Sequence, residues 1–111
     1  MITIEALKNY GANTQEGLTR CMNNEEFYIM LVGKALADKR LDLLEQQIKD
    51  KEFGPAFETA HALKGMYSNL SLDPLTKPVS EITELLRSNS DADYSPLIAE
   101  AKEQFSLLAG L

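Results

Sequence analysis

The sequence predicts an all-α protein: an up-down antiparallel four-helix bundle with one or two short extra helices at the N-terminus. Apolar residues recur at steps of three and four over long segments, as on core-facing helices. We find no run that alternates like a strand, and the connections between segments are short, which favours antiparallel neighbours. A chain of 111 residues is expected to form one domain, residues 1–111, around one core.

The N-terminal segment is expected to hold the short helices. Residues 3–9 are the first candidate and residues 14–22 the second. Asn23 or Asn24 then offers a side-chain oxygen that can cap the start of a longer helix.

That longer helix is predicted to run to about Glu52, because no proline interrupts the segment. Gly33 lowers its helix propensity, and Lys34 interrupts its apolar stripe. The predicted core-facing residues are Phe27, Met30, Leu31, Ala37, Leu41, Leu44 and Ile48.

The next helix follows Gly54, and Pro55 suits its first position because a proline has no N–H to leave unpaired there. We expect this helix to end near Leu70. Its predicted core stripe is Ala56, Ala60, Leu63, Tyr67 and Leu70.

Two further helices complete the predicted bundle. Residues 73–74 (Asp-Pro) can start the first, and Pro78 is expected to kink it because proline cannot donate a backbone hydrogen bond. Residues 89–93 are a polar loop, after which Ser95 as N-cap and Pro96 start the last helix. The predicted core residues are Val79, Ile82 and Leu86, then Leu97 or Ile98, Ala101, Phe105 and Leu108.

Charge and composition exclude several classes of function. The net charge is −6 and no basic cluster is present, so nucleic-acid binding is not expected. The longest apolar run, residues 27–32, is far too short to span a membrane, and no secretion signal is recognisable. Cys21 is the only cysteine, which fits a reducing compartment. We therefore expect a cytoplasmic protein that binds neither nucleic acid nor membrane.

The only histidine, His61, lies on the side of its predicted helix that faces away from the core. At about 100° per residue, His61 lies roughly 140° from the centre of the core stripe, Lys64 about 80° and Gly65 about 180°. A helical glycine costs about 1 kcal/mol relative to alanine. Because Gly65 faces solvent, helix packing does not explain it, and we infer that another molecule approaches the backbone there.

This arrangement suits phosphoryl chemistry. A neutral imidazole is a competent nucleophile, and Lys64 can partly neutralise a phosphoryl group attached to His61. Gly65 would leave room for that group and for its donor. No glycine-rich loop that binds ATP phosphates is present, so the phosphoryl group must come from another protein.

Other residues near His61 leave alternatives open. Phe57 is either core at the edge of the helix or an apolar contact for a docking partner. Ser68 can belong to the same docking surface or hydrogen-bond a phosphoryl oxygen, although solvated surface is the simpler interpretation. We expect no metal site, because His61 is the only histidine and the only cysteine, Cys21, is far from it in sequence. A hydrolytic Cys-His or Ser-His pair also lacks an orienting group.

Two stretches resemble histidine-containing phosphotransfer (HPt) domains, and together the likeness covers roughly residues 14–108. The first is the segment His61-Ala-Leu-Lys64-Gly65 with Asn69-Leu70, which looks like the phosphorylation-site helix of these domains. The second is similar to the segment that opens many members: Glu16-Gly17-Leu18-Thr19-Arg20-Cys21, then Glu25-Glu26-Phe27-Tyr28 and Leu31. Ser71 is a departure, since many members carry a glycine ten residues after the histidine, and it bears on the geometry at the end of the helix.

The resemblance implies a phosphorelay carrier that accepts a phosphoryl group on His61 and exchanges it with an aspartate of a response-regulator receiver domain. It implies that the receiver supplies the catalytic aspartate and Mg²⁺, and that this chain needs no cofactor and has no autokinase activity. The implied partners are a receiver domain, a hybrid histidine kinase or both, and we expect a monomer. The alternative is a helical adaptor that docks a signalling partner without being phosphorylated. A fragment of a larger kinase is a third interpretation, although we favour a free-standing protein.

Overall fold

The all-α prediction is confirmed by a computed structural model, which describes residues 2–88 and 91–111. The described residues form helices and no strand. In chain order the helices are α1 (Ile4–Tyr10), α2 (Thr14–Arg20), α3 (Glu25–Ala37), α4 (Arg40–Lys49), α5 (Phe53–Asn69), α6 (Asp73–Arg87) and α7 (Ser95–Ala109). The two short helices predicted near the N-terminus are therefore α1 and α2.

The helix α5 packs against both α4 and α6, and α6 also packs against α7. All five predicted core residues of α5 and its C-cap are buried, at 5% exposure or less: Ala56, Ala60, Leu63, Tyr67 and Leu70. The predicted stripe of α6 is buried as well: Val79, Ile82 and Leu86. In α7 the buried residues are Ile98, Ala101 and Leu108, and Phe105 is half-buried.

The prediction of one continuous helix from residue 25 to Glu52 is wrong, because the chain turns at Asp38 and divides this segment into α3 and α4. Asp38 has extended backbone (φ −77°, ψ 126°). Its Oδ1 accepts a hydrogen bond from the backbone N–H of Arg40 at 2.9 Å, and its carboxylate pairs with the Arg40 guanidinium at 2.7 Å. These bonds satisfy the first amide of α4, so the break needs neither glycine nor proline.

The core stripe predicted for α3 is also wrong in its first turns. Phe27 and Met30 are 43% and 46% exposed, whereas Tyr28 and Val32 are fully buried. Because α3 ends at Ala37, its rotation is not tied to that of α4. The buried Tyr28 side chain sets that rotation instead.

Most of the predicted helix starts hold, with small shifts. Asn24 is the N-cap of α3, and its side chain accepts the N–H of Phe27. Ser95, predicted as an N-cap, is the first residue of α7, and Asp93 accepts its N–H at 3.0 Å. α6 continues through the buried Pro78 without interruption. Of the predicted polar loop at residues 89–93, positions 89 and 90 lie outside the described residues.

The C-terminal end of α5 is held by an arginine from α2. Arg20 Nη1 donates to the carbonyl oxygens of Ser68 and Asn69, at 3.0 and 3.3 Å, and to Ser71 Oγ at 2.7 Å. Glu16 pairs with the same guanidinium. The last carbonyls of a helix have no partner within the helix, and a cation suits the negative end of its dipole. Arg20 satisfies both needs.

A tyrosine from α3 completes this attachment. The hydroxyl of Tyr28 donates to the carbonyl oxygen of Leu70, the C-cap of α5, at 2.7 Å inside the core. The ring lies against Gly17 of α2, where a Cβ would come within 2.6 Å of Tyr28 Cζ. Gly17 is therefore the residue that lets Tyr28 reach the end of α5.

Candidate functional site

His61 is exposed on α5, as its angle on the predicted helix indicated. Its neighbour Ala60 is fully buried, which fixes the orientation of this turn. The imidazole stacks on the ring of Phe57, one turn earlier, with ring centroids 5.8 Å apart and planes inclined by 17°. One side of the imidazole is thus supported, while the side chain stays accessible to a partner.

Phe57 is half-buried and packs against the core from the edge of α5. The guanidinium carbon of Arg87, on α6, lies 5.1 Å from the centroid of its ring. An arginine over an aromatic face is attracted by the ring quadrupole. Of the two alternatives predicted for Phe57, the structure confirms the position at the edge of the core. The role as a docking contact stays a prediction, and Phe57 in addition supports His61.

Lys64 is one turn after His61 and is half-buried, with 33% of its side chain exposed. Its Nζ lies 3.6 Å from Glu84 Oε1 on α6. Glu84 Oε2 accepts a hydrogen bond from Nε of Arg87 at 3.2 Å. Two cations and one carboxylate therefore meet beside the histidine.

Gly65 is exposed, and a Cβ built on it would have no atom within 4 Å outside its own helix backbone. This agrees with the predicted bare stretch of backbone next to His61. Ser68 is exposed as well, and its hydroxyl donates to the carbonyl of Gly65 at 3.2 Å. The surface from His61 to Ser68 is open along the helix.

Sequence reasoning missed Glu84 and Arg87. The only local signal was their spacing of three residues on α6, which puts them on one side of that helix and allows the ion pair they form. That spacing does not show which side of α6 faces α5, and only the packing of the two helices brings them to Lys64 and Phe57.

Two other kinds of site do not coincide with His61. Among the described residues, no group of three or more His, Cys, Asp or Glu side chains is placed to hold a metal ion. A cleft of about 500 Å³ lies at the start of α5, lined by residues such as Phe53, Tyr94 and Ile98, and His61 is not part of its lining.

Within the described part of the chain, no helix has the length and apolar character needed to cross a membrane.

Comparison with known families agrees with this geometry. The sequence model of the Hpt domain family matches residues 34–110, more than half of the chain. The chain belongs to this family, whose members act generally as phosphotransfer carriers in phosphorelays and not as kinases. The match begins within α3, so the resemblance noted in residues 16–31 lies outside it. No match was found among curated proteins or among solved structures.

Proposed function

We propose that this protein carries a phosphoryl group on His61 and exchanges it with an aspartate of a response-regulator receiver domain. The observation that carries the proposal is a single exposed histidine beside an uncovered helix backbone, in a chain of the Hpt family. A hybrid histidine kinase is the partner class that would feed such a receiver.

The proposed step is a direct transfer. An imidazole nitrogen of His61 attacks the phosphorus of the receiver's aspartyl phosphate, the P–N bond forms, and the P–O bond to the aspartate breaks. The carboxylate leaves with the bonding electrons. The phosphorylated imidazolium that results then loses the proton on its other ring nitrogen to solvent. The reverse attack by the carboxylate returns the phosphoryl group.

Each neighbouring residue has a role in this proposal. Lys64 contributes positive charge to the phosphorylated state. Gly65 lets the receiver approach the backbone of α5, because no side chain stands between them. Phe57 holds the imidazole by stacking, and Ser68 lies on the exposed side that the receiver would cover. This chain supplies the nucleophile and the docking surface, without autokinase activity of its own.

The test is incubation with a phosphorylated receiver domain, followed by measurement of acid-labile, base-stable phosphate on this protein. We expect wild type to acquire such phosphate and His61→Gln to acquire none. His61→Gln should lower the free energy of unfolding by at most about 1 kcal/mol, because the residue is exposed and loses only its stacking on Phe57.

Circular dichroism of His61→Gln is the control that its helices are intact. If the folded variant still accepts phosphate, His61 is not the acceptor. If wild type accepts none from several receivers yet binds them, the adaptor interpretation replaces the carrier.

A further inference from the structure

Glu84 connects the candidate site to α6 through both of its carboxylate oxygens. Oε1 lies 3.6 Å from Lys64 Nζ, and Oε2 accepts from Nε of Arg87 at 3.2 Å. Lys64 belongs to α5 and Arg87 to α6, so one carboxylate joins the two helices at the position of the histidine. Glu84 is itself 56% exposed in its side chain, which leaves it free to move.

The pairing matters because Lys64 cannot fully neutralise both the Glu84 carboxylate and a phosphoryl group on His61 at the same time. A phosphoryl group on His61 would bring close to two negative charges within one helical turn of Lys64. Lysine carries a compact charge on a flexible stem and can turn from one acceptor to another. In the unphosphorylated protein the structure shows it directed towards Glu84.

We infer that Glu84 is a positioning residue for phosphoryl transfer. It holds Lys64 against α6 before transfer and releases it to the phosphoryl group on His61 afterwards. This inference rests on the proposed function, and it adds that Glu84 lowers the share of phosphoryl groups that His61 retains. The phosphorylated state must break the pair with Lys64 and also bear the repulsion of a nearby carboxylate.

Release of Lys64 leaves Glu84 with a partner. Since Arg87 pairs with the other oxygen and lies over Phe57, Glu84 keeps one ion pair when Lys64 turns away. The switch therefore exchanges one partly exposed ion pair for another and needs no repacking of the core. Exposed ion pairs contribute little to stability, which keeps the exchange reversible.

Glu81 offers a matched control. It lies one turn before Glu84 on the same helix and is exposed, and no ion pair of the described residues involves it. Glu81→Gln removes the same charge from the same helix without touching Lys64. Glu84→Gln removes the charge that holds Lys64.

The experiment measures how phosphoryl groups divide at equilibrium between a receiver domain and this protein. We expect Glu84→Gln to raise the ratio of phosphorylated protein to phosphorylated receiver by about two- to fivefold, as for the loss of one exposed charge interaction. Glu81→Gln should change it by clearly less. The effect of Glu84→Gln should shrink when the ionic strength is raised about tenfold, because salt screens exposed charges.

Lys64→Ala supplies the decisive comparison. If Glu84 acts through Lys64, the gain from Glu84→Gln is reduced in the Lys64→Ala background, and the double-mutant cycle is not additive. Unfolding temperatures of all variants show that each is folded, so a change in the ratio is not a change in folding.

Two results would overturn the inference and leave the proposed function standing. In the first, wild type accepts phosphate, and Glu84→Gln gives the same ratio of phosphorylated protein to phosphorylated receiver as wild type. In the second, Glu84→Gln raises that ratio equally in the wild-type and Lys64→Ala backgrounds. The inference also fails if Glu81→Gln raises the ratio as much as Glu84→Gln does. If wild type accepts no phosphate, the proposed function fails, and the inference fails with it.

Discussion

Gly65 is the residue at which local stability and the proposed function oppose each other. Alanine would be the better helix former by about 1 kcal/mol, and the structure leaves room for its Cβ. Since packing does not require glycine at this position, the open backbone next to His61 is the remaining physical difference between glycine and any other residue.

We predict that Gly65→Ala raises the free energy of unfolding by up to about 1 kcal/mol and that Gly65→Gln keeps the fold but slows phosphoryl transfer. The longer side chain would stand where the receiver approaches α5. The measurements are thermal unfolding and the rate of transfer from a phosphorylated receiver.

Gly33 is a matched control for Gly65, because it is also helical and exposed and has no atom within 4 Å of its Cβ position. Gly33→Gln should be as well tolerated by the fold and should leave transfer unchanged. Equal rates for Gly65→Gln and wild type would show that close approach is not the reason for this glycine. A marked loss of stability in Gly65→Ala would show that this side of α5 is packed.

The contacts of Ser71 explain how a serine can stand where many family members carry a glycine. It has a left-handed backbone (φ 54°), a conformation that favours glycine, and it is buried. Its hydroxyl accepts a hydrogen bond from Arg20 and its carbonyl accepts one from Asn13 N–H at 2.9 Å. The hydroxyl bond offsets part of the backbone strain.

We predict that Ser71→Ala lowers the free energy of unfolding by about 1 kcal/mol, since it loses the hydrogen bond and keeps the strain. Ser71→Gly should be more stable than Ser71→Ala by about 1 kcal/mol, because glycine relieves that strain. Denaturant unfolding measures both. At Ser80, inside α6, the order should reverse, with alanine more stable than glycine. The same order at both positions would contradict the strain argument.

The residues of the site were predictable to different degrees. The exposure of His61 and Gly65 followed from a helical stripe on one element, and the structure agrees with both. The partners of Lys64 and Phe57 depend on how α6 is rotated and shifted against α5. A single sequence carries no signal for that register, so Glu84 and Arg87 were found only in the structure.

At the scale of the elements, the break at Asp38 is the clearest case in which side-chain chemistry overrides helix propensity. Alanine, lysine and arginine surround Asp38 and all favour helix. The apolar pattern also continues across the break, with Leu41 and Leu44 buried beyond it. The prediction failed because it weighed propensity and periodicity and not the hydrogen bonds between Asp38 and Arg40.

We predict that Asp38→Ala lowers the free energy of unfolding by about 1 kcal/mol at pH 7, as for the loss of a helix cap. The hydrogen bond from Arg40 lowers the pKa of the Asp38 carboxyl below its ordinary value of 3.8. Since the pKa is lower in the folded state, the stabilisation is complete above about pH 4 to 5 and is lost as the pH falls through the folded-state value.

The difference in unfolding free energy between wild type and Asp38→Ala should therefore diminish in acid, measured by urea unfolding from pH 7 down to about pH 2. Arg40→Ala is the control, because Asp38 then lacks the guanidinium that lowers its pKa. A difference that stays constant with pH would mean that the carboxylate form of Asp38 does not stabilise the break.

On the scale of the whole molecule, the N-terminal segment fixes the end of the helix that carries His61. α2 and α3 contribute Arg20 and Tyr28, which satisfy carbonyls at the C-terminal end of α5. Most of this segment precedes the residues that match the family, 34–110. The likeness of residues 16–31 to the opening segment of HPt domains stays a prediction, but Gly17, Arg20 and Tyr28 all contribute to the same attachment.

Two buried tyrosines allow this attachment to be tested. Tyr28 and Tyr67 are both 0% exposed, and burial raises the pKa of Tyr28 to about 12, so its hydroxyl stays protonated as a donor. The Tyr28 hydroxyl donates to the carbonyl of Leu70, whereas the Tyr67 hydroxyl has no hydrogen-bond partner among the described residues. The same change to phenylalanine therefore removes a hydrogen bond at one position and an unpaired polar group at the other.

We predict opposite effects for the two substitutions. Tyr28→Phe should lower the free energy of unfolding by about 1–3 kcal/mol, because it leaves the buried carbonyl of Leu70 unpaired. Tyr67→Phe should leave stability unchanged or raise it, since an unpaired buried hydroxyl is itself unfavourable. Urea unfolding gives both values, and amide hydrogen exchange should show faster opening of the last turn of α5 in Tyr28→Phe alone. Equal losses in the two variants would mean that ring packing, and not the bond to Leu70, holds the end of α5 in place.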